Sequence, residues 1–193
     1  MERLITAGEI KNWFYCPRVV YYRRKMPEAS KPTFKMQEAI RAQDLIERLE
    51  IRRTLKAYGL VDGYERRFDQ WLSSEELGMT GRLDLLLQGP DEAIPVDFKL
   101  TAGEPGVNHR MQLGAYAVLV EAVLGLPCRR AYLYRIPDDR VFLIEVDAET
   151  KERVRLAATA MREMDELEEL PEATELRSRC EDCEYANFCG DVW

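Results

Sequence analysis

Two strand-like runs, Met79 to Gln88 and Ala93 to Leu100, flank Gly89-Pro90-Asp91, and this arrangement restricts the fold more than any other feature of the chain. Gly-Pro-Asp between apolar runs is a turn signal, so the runs are expected to return on each other as a hairpin. The first run, Gly81-Arg82-Leu83-Asp84-Leu85-Leu86-Leu87, holds a lone acid in an apolar stretch. A carboxylate there costs free energy unless it is paired or binds a metal. In the second run, Pro95-Val96-Asp97-Phe98-Lys99, strand alternation puts Asp97 and Lys99 on one face and Val96 and Phe98 on the other. A hairpin sets Asp84 beside Asp97, next to the Lys99 ammonium. Hard cations such as Mg²⁺ or Mn²⁺ suit a carboxylate pair. Such a metal polarises a phosphate oxygen and acidifies a bound water, while Lys99 orients or deprotonates the attacking water. Asp-x-Lys alone equally describes a strand-borne salt bridge; Asp84 upstream shifts the balance toward phosphodiester hydrolysis.

Elsewhere the pattern predicts alternating helices and strands. Thr6-Ala-Gly-Glu9 reads as a capping box, and a short helix should stop before Pro17. Residues 27–33 read as a loop, and Phe34 to Tyr58 as a long helix closed by Gly59. Arg66 to Leu72 reads as a further strand, and Val107 to Leu124 as a strong helix ended by Gly125 and Pro127. Arg130 to Ile136 and Val141 to Val146 form a second hairpin around Pro137-Asp138-Asp139, and residues 150–170 a charged helix. Gln112 and Tyr116 share a face of the Val107 helix. They are read either as residues near the site or as an exposed amide and a boundary ring.

The 193 residues are 46% hydrophobic and 33% charged, which allows a substantial core. No apolar run reaches the roughly 20 residues of a membrane helix, and the N-terminus lacks a signal-peptide pattern; a cytoplasmic location is expected. The net charge of −7 argues against general nucleic-acid affinity. The charge is uneven, however. Acid gathers late, from Glu163 to Glu175. Base gathers early, at Arg18, Arg23, Arg24 and Lys25 and at Arg52, Arg53, Lys56, Arg66 and Arg67, so a positive face is compatible with an acidic chain.

Cys180-x2-Cys183-x5-Cys189 is a compact trio, with Cys16 far off in sequence. In a reducing compartment such clustering points to metal rather than disulfides. Four thiolates fit Zn²⁺ or an iron–sulfur cluster, and spacing does not separate the two. Either would clamp a tail too small to fold alone onto the N-terminal helix. Cys128 stands apart, as a free thiol.

Tyr15-Cys16-Pro17-Arg18, Gly81-x2-Asp84, Asp97-x-Lys99, Gln112-x3-Tyr116 and the cysteine trio, in that order, resemble the RecB-like PD-(D/E)xK nucleases. The resemblance is closest to small CRISPR-associated exonucleases that carry an iron–sulfur cluster. It runs from Cys16 to Cys189 and implies an α/β, restriction-endonuclease-like fold, a mixed sheet flanked by helices. One nuclease domain would span 1–193, with 1–33 and 176–193 together forming a cluster-binding lobe. The resemblance implies Asp84 and Asp97 as Mn²⁺ or Mg²⁺ ligands, with Lys99, Gln112 and Tyr116 completing the catalytic set. Cys16, Cys180, Cys183 and Cys189 would hold a [4Fe-4S] cluster in preference to [2Fe-2S]. Arg18, Arg23, Arg24, His109 and Arg110 are candidate DNA contacts. The implied role is trimming single-stranded ends of pre-spacer DNA, partnered by the CRISPR integrase. A DNA-repair nuclease of the same superfamily, or a weakly catalytic DNA-binding adaptor, are the alternatives; no ATP-binding motif is present. One departure stands out. The family's metal-ligand histidine on the first long helix is missing, and Gln43 and Asp44 occupy that stretch. His109, the lone histidine, reads as a surface or phosphate-contacting residue.

Overall fold

The computed structural model describes residues 3–27, 50, 54–100, 103–181 and 183–190. Its sheet contains β1 (Ile5–Thr6), β2 (Glu65–Ser74), β3 (Met79–Gln88), β4 (Ala93–Lys99), β5 (Arg130–Arg135) and β6 (Arg140–Glu145). The helices are α1 (Ala7–Tyr15), α2 (Pro17–Lys25), α3 (Val107–Leu124), α4 (Ala148–Leu167) and the short α5 (Ala186–Cys189).

Strand order is β1-β3-β4-β5-β6, with β2 along the other edge of β3. β3 and β4 form the expected antiparallel hairpin, in which Leu85 faces Val96 and Gln88 faces Ala93. The Gly89 N–H donates to the Glu92 carbonyl at 2.9 Å to close it. β4 and β5 run parallel, so they need a crossover, and α3 supplies it. Every residue of α3 from Met111 to Val120 is buried. A helix apolar all round must sit inside the molecule. Its end lies at Gly125, whose φ of 67° is the left-handed cap that glycine adopts without strain.

Both faces of the sheet are covered. The larger core joins Leu83, Leu86, Ala93 and Leu133 to α1, α3 and α4. The smaller packs Leu85, Leu87, Ile94, Val96, Tyr132 and Tyr134 against Leu55, Tyr58 and Leu60. Parallel strands covered on both faces are the norm for α/β folds.

Thr6 caps α1 through the predicted box: its hydroxyl accepts from the Glu9 N–H at 3.0 Å, and Glu9 reaches back to the Thr6 N–H at 2.8 Å. The chain does break before Pro17, but Pro17 then opens a second helix, which the sequence reading did not anticipate. Proline suits the first helical position because that N–H has no helical partner. Of the predicted helix over 34–58, residues 34–49 and 51–53 lie outside the described residues. Leu55–Tyr58 is 3-10 rather than α, closed by Gly59 as expected. The predicted 150–170 helix starts earlier, because Asp147 caps it by accepting from the Thr150 N–H, and it stops at Leu167.

Candidate active site

The antiparallel register carries Asp84 to the position across from Asp97, one step beyond the Leu85–Val96 pair. Asp84 is also where β3 departs from ideal alternation. Leu83 and Leu86 enter the larger core, while Leu85 and Leu87 enter the smaller. Between the paired positions Gln70–Leu83 and Phe68–Leu85 lies Asp69, at a φ of 54°. This left-handed residue kinks β2 beside Asp84, and Asp69 is held there by an ion pair to Arg82. The Asp84 carboxylate accepts from the Phe98 N–H at 2.9 Å, which ties it to β4.

Asp97 is buried, and its Oδ2 stands 2.7 Å from Lys99 Nζ. The two share a face, as alternation requires, but that face is the one under α3 and not a half-open surface. Burial and the neighbouring Asp97 push the Asp84 pKa well above the carboxylate range, against the pull of the Phe98 N–H, Lys99 and Arg82. Burial would lower the Lys99 pKa, yet Asp97 and Asp84 hold it above its ordinary value. Two carboxyls forced together, one of them resisting ionisation, form a site that gains by taking up a cation.

Gln112 and Tyr116 serve this strand pair indirectly. Both are buried. The Gln112 amide donates to the Tyr116 hydroxyl at 3.3 Å, and that hydroxyl donates to the Arg82 carbonyl at 2.9 Å. They hold β3 just before Asp84. The motif glycine follows from the same packing: a Cβ on Gly81 would lie 2.9 Å from the Tyr116 ring.

Two residues complete the surroundings. His109, in the first turn of α3, has a buried Nδ1 with no hydrogen-bond partner. Burial, Lys11 and Lys99 push its pKa down to about 4, against the pull of Asp97. Lys11 of α1 was missed by the sequence reading. Burial and Lys99 take its pKa down to about 8. The signal was legible: Ala7, Ile10 and Phe14 form the apolar stripe of α1, and Lys11 interrupts that stripe.

The thiols converge elsewhere. Cys16, Cys180, Cys183 and Cys189 line one small cavity beneath Val19, Tyr22 and Tyr185. The tail is docked by Tyr15, whose hydroxyl donates to the Arg179 carbonyl at 3.2 Å, and by stacking of Tyr22 on Tyr185 at 5.7 Å. Burial and the three neighbouring cysteines push the Cys183 thiol pKa up, against a backbone N–H at Tyr185. Among the described residues, no three His, Cys, Asp or Glu side chains close on a single point; the thiols surround a space. Cys128 is buried and apart, donating to the Arg130 carbonyl at 3.5 Å, with its thiol pKa raised to about 12 by burial.

Three of the candidate DNA-contacting arginines have partners within the protein. Arg24 is buried in an ion-pair network with Glu9, at 2.8 Å, and Asp165. Arg23 pairs with Glu184. Arg18 donates to the Pro171 carbonyl at 2.9 Å and to Cys189 Sγ at 3.4 Å. Arg18, Arg23, Arg24 and Lys25 therefore meet acidic side chains and the tail; Arg52 and Arg53 lie outside the described residues. Arg110 is exposed. Gln43 and Asp44 lie outside the described residues.

A carboxylate pair and a lysine thus lie together on adjacent strands, with Gln112 and Tyr116 of α3 holding β3 beside them. Residues 16–190 match the PD-(D/E)XK nuclease superfamily, and the chain belongs to it. It is a nuclease of this superfamily, whose members use divalent metals. The chain is 25% identical to the CRISPR-associated exonuclease Cas4 of Francisella tularensis subsp. novicida, over 97% of this chain and 94% of that protein. It is 22% identical to the Cas4 exonuclease of Thermoproteus tenax, over 100% of this chain and 96% of that one. The crystal structure of SSO0001 shares the fold at a TM-score of 0.65 and 20% identity, covering 100% of this chain and 88% of that one. The alkaline exonuclease LHK-Exo of Laribacter hongkongensis does so at 0.53 and 16%, covering 86% and 89%. Among the described residues, no helix is long and apolar enough to cross a membrane.

Proposed function

We propose that this nuclease trims single-stranded DNA ends, that Asp84 and Asp97 hold a Mg²⁺ or Mn²⁺ ion, and that the four cysteines hold an iron–sulfur cluster. The observation that carries the metal assignment is the place of Asp84 one step beyond the Leu85–Val96 pair, across from Asp97, with Lys99 Nζ 2.7 Å from Asp97. The donor set fits: both groups are hard oxygen ligands, and Asp84 sits where a lone charge is costly. A divalent ion there supplies positive charge to a phosphate oxygen and acidifies a coordinated water. The chain's own residues do the rest. Lys99 orients the attacking water and offsets charge on the phosphate. The Phe98 N–H fixes the Asp84 carboxylate, and Gln112 and Tyr116 fix the strand that carries it.

The cysteine cavity supports the cluster. Its four thiols line one small space, and four thiolates are the donor set an iron–sulfur cluster takes. Residues 1–33 and 176–193 then form its lobe. The CRISPR-associated names of relatives that match over nearly their whole length support a role in trimming pre-spacer DNA beside the CRISPR integrase.

Wild-type protein with Mn²⁺ should shorten single-stranded DNA, and Asp84→Ala, Asp97→Ala and Lys99→Ala should each lose about a thousandfold or more in rate with the fold kept. Equal cutting by all four proteins, or cutting by none, overturns the reading. Retention of the integrase on immobilised wild-type protein with overhang DNA tests the role in CRISPR adaptation; no retention moves the function toward repair.

A further inference from the structure

The α1–α3 junction beside Lys99 holds two groups that the metal reading does not use. Lys11 is half-buried and, among the described residues, makes no ion pair and no side-chain hydrogen bond. Its charged surroundings are Lys99, Asp97 and Arg23, of which two repel it. Buried cations are normally paired, because the lost hydration is otherwise uncompensated. His109 has Lys11, Lys99 and Asp97 as its charged neighbours, and its Nδ1 is buried without a partner. It lies in the first turn of α3, whose N-cap Gly106 offers no side-chain cap. That end of an 18-residue helix carries partial positive charge. An unpaired ammonium, an orphaned imidazole nitrogen and an uncapped helix start, on two different helices, all lack the same thing: an anion with oxygen acceptors.

We propose that Lys11 and His109 form a phosphate-binding pocket beside Lys99 that grips a phosphate oxyanion of the bound DNA strand. The Lys11 ammonium and the His109 Nδ1–H donate to it, and the α3 terminus adds its field. This rests on the nuclease reading and extends it to binding. The pocket costs the free protein stability and returns it when DNA is present, so Lys11 and His109 are binding residues rather than members of the fold's support.

The test is binding of fluorescent single-stranded oligonucleotides to the full chain in Ca²⁺, with melting of DNA-free protein alongside. Lys11→Met should weaken binding about tenfold and flatten the logarithmic salt dependence by about 0.7. The melting temperature should hold or rise. Lys11→Arg should restore most of the affinity, and His109→Phe should weaken binding by a smaller factor. An equal loss on 5′-hydroxyl and 5′-phosphoryl oligonucleotides places an internal phosphodiester in the pocket; a loss confined to the phosphorylated strand places a terminal phosphate there. Unchanged affinity on both, or a loss of affinity matched by a loss of melting temperature, overturns the pocket. Cutting by wild type in Mn²⁺ is read separately, so an active nuclease with an indifferent Lys11→Met rejects the pocket and leaves the nuclease reading intact.

Discussion

The carboxylate site and the cysteine cavity are assembled in opposite ways. Asp84, Asp97 and Lys99 lie on two strands joined by a tight turn, and the hairpin register alone brings them together. The cavity draws Cys16 from one end of the chain and Cys180, Cys183 and Cys189 from the other, and its protein contacts are a few tyrosine and arginine bonds. The first site is part of the sheet and should survive loss of its ion. The second joins distant segments, so its contents should matter to folding. A site held by register tolerates side-chain loss; a site held by a clamp does not.

The largest effect expected from this contrast is at the clamp. Cys16→Ser should lose iron, visible absorption and thermal stability as fully as Cys180→Ser, whereas Cys128→Ser keeps its metal content. Full iron in purified Cys16→Ser protein would erase the distinction. Next comes the support of the strand pair. Gly81→Ala places a methyl against Tyr116 and Leu119, both packed under the sheet. Overpacking of this kind costs about 1–3 kcal/mol, measurable by urea unfolding, and should slow cutting by displacing β3. An alanine variant of normal stability and rate would show that Tyr116 yields freely.

A third effect is one of pH. Asp84 has its carboxyl pKa raised from 3.8 to about 7 by burial and Asp97. A group raised in the folded state contributes its full stability below the unfolded pKa and loses it as pH rises through the folded one. Metal-free protein should therefore lose stability between about pH 4 and pH 7 relative to Asp84→Asn, and Mn²⁺ should recover it. Parallel stability curves for the two proteins across that window would mean that Asp84 is not strained by its site.

How much of this was legible beforehand follows the same division. The β3–β4 hairpin, the α3 span and the capped start of α1 were readable because each is set by turn chemistry, helical period or a local cap. The second helix at Pro17 was not read, because proline marks both an end and a beginning. Arg18, Arg23 and Arg24 were candidates for DNA, and charge patterning had no means of showing that Glu9, Asp165 and Glu184 come to meet Arg23 and Arg24, or that Arg18 reaches the Pro171 carbonyl and Cys189. Gln112 and Tyr116 were read from their helical spacing as residues near the site; the fold places them as supports of β3 at the Arg82 carbonyl.

The sequence by itself marked the candidates for chemistry: two acids and a lysine in strand context, and four cysteines in a fixed order. Residue type and spacing suffice for that, since alternation and turn geometry act over a few residues. Only the tertiary structure decided where those residues are dry, which cations are already paired, and that Lys11 and His109 meet beside Lys99. Burial and pairing depend on segments far apart in the chain, and no local period records them.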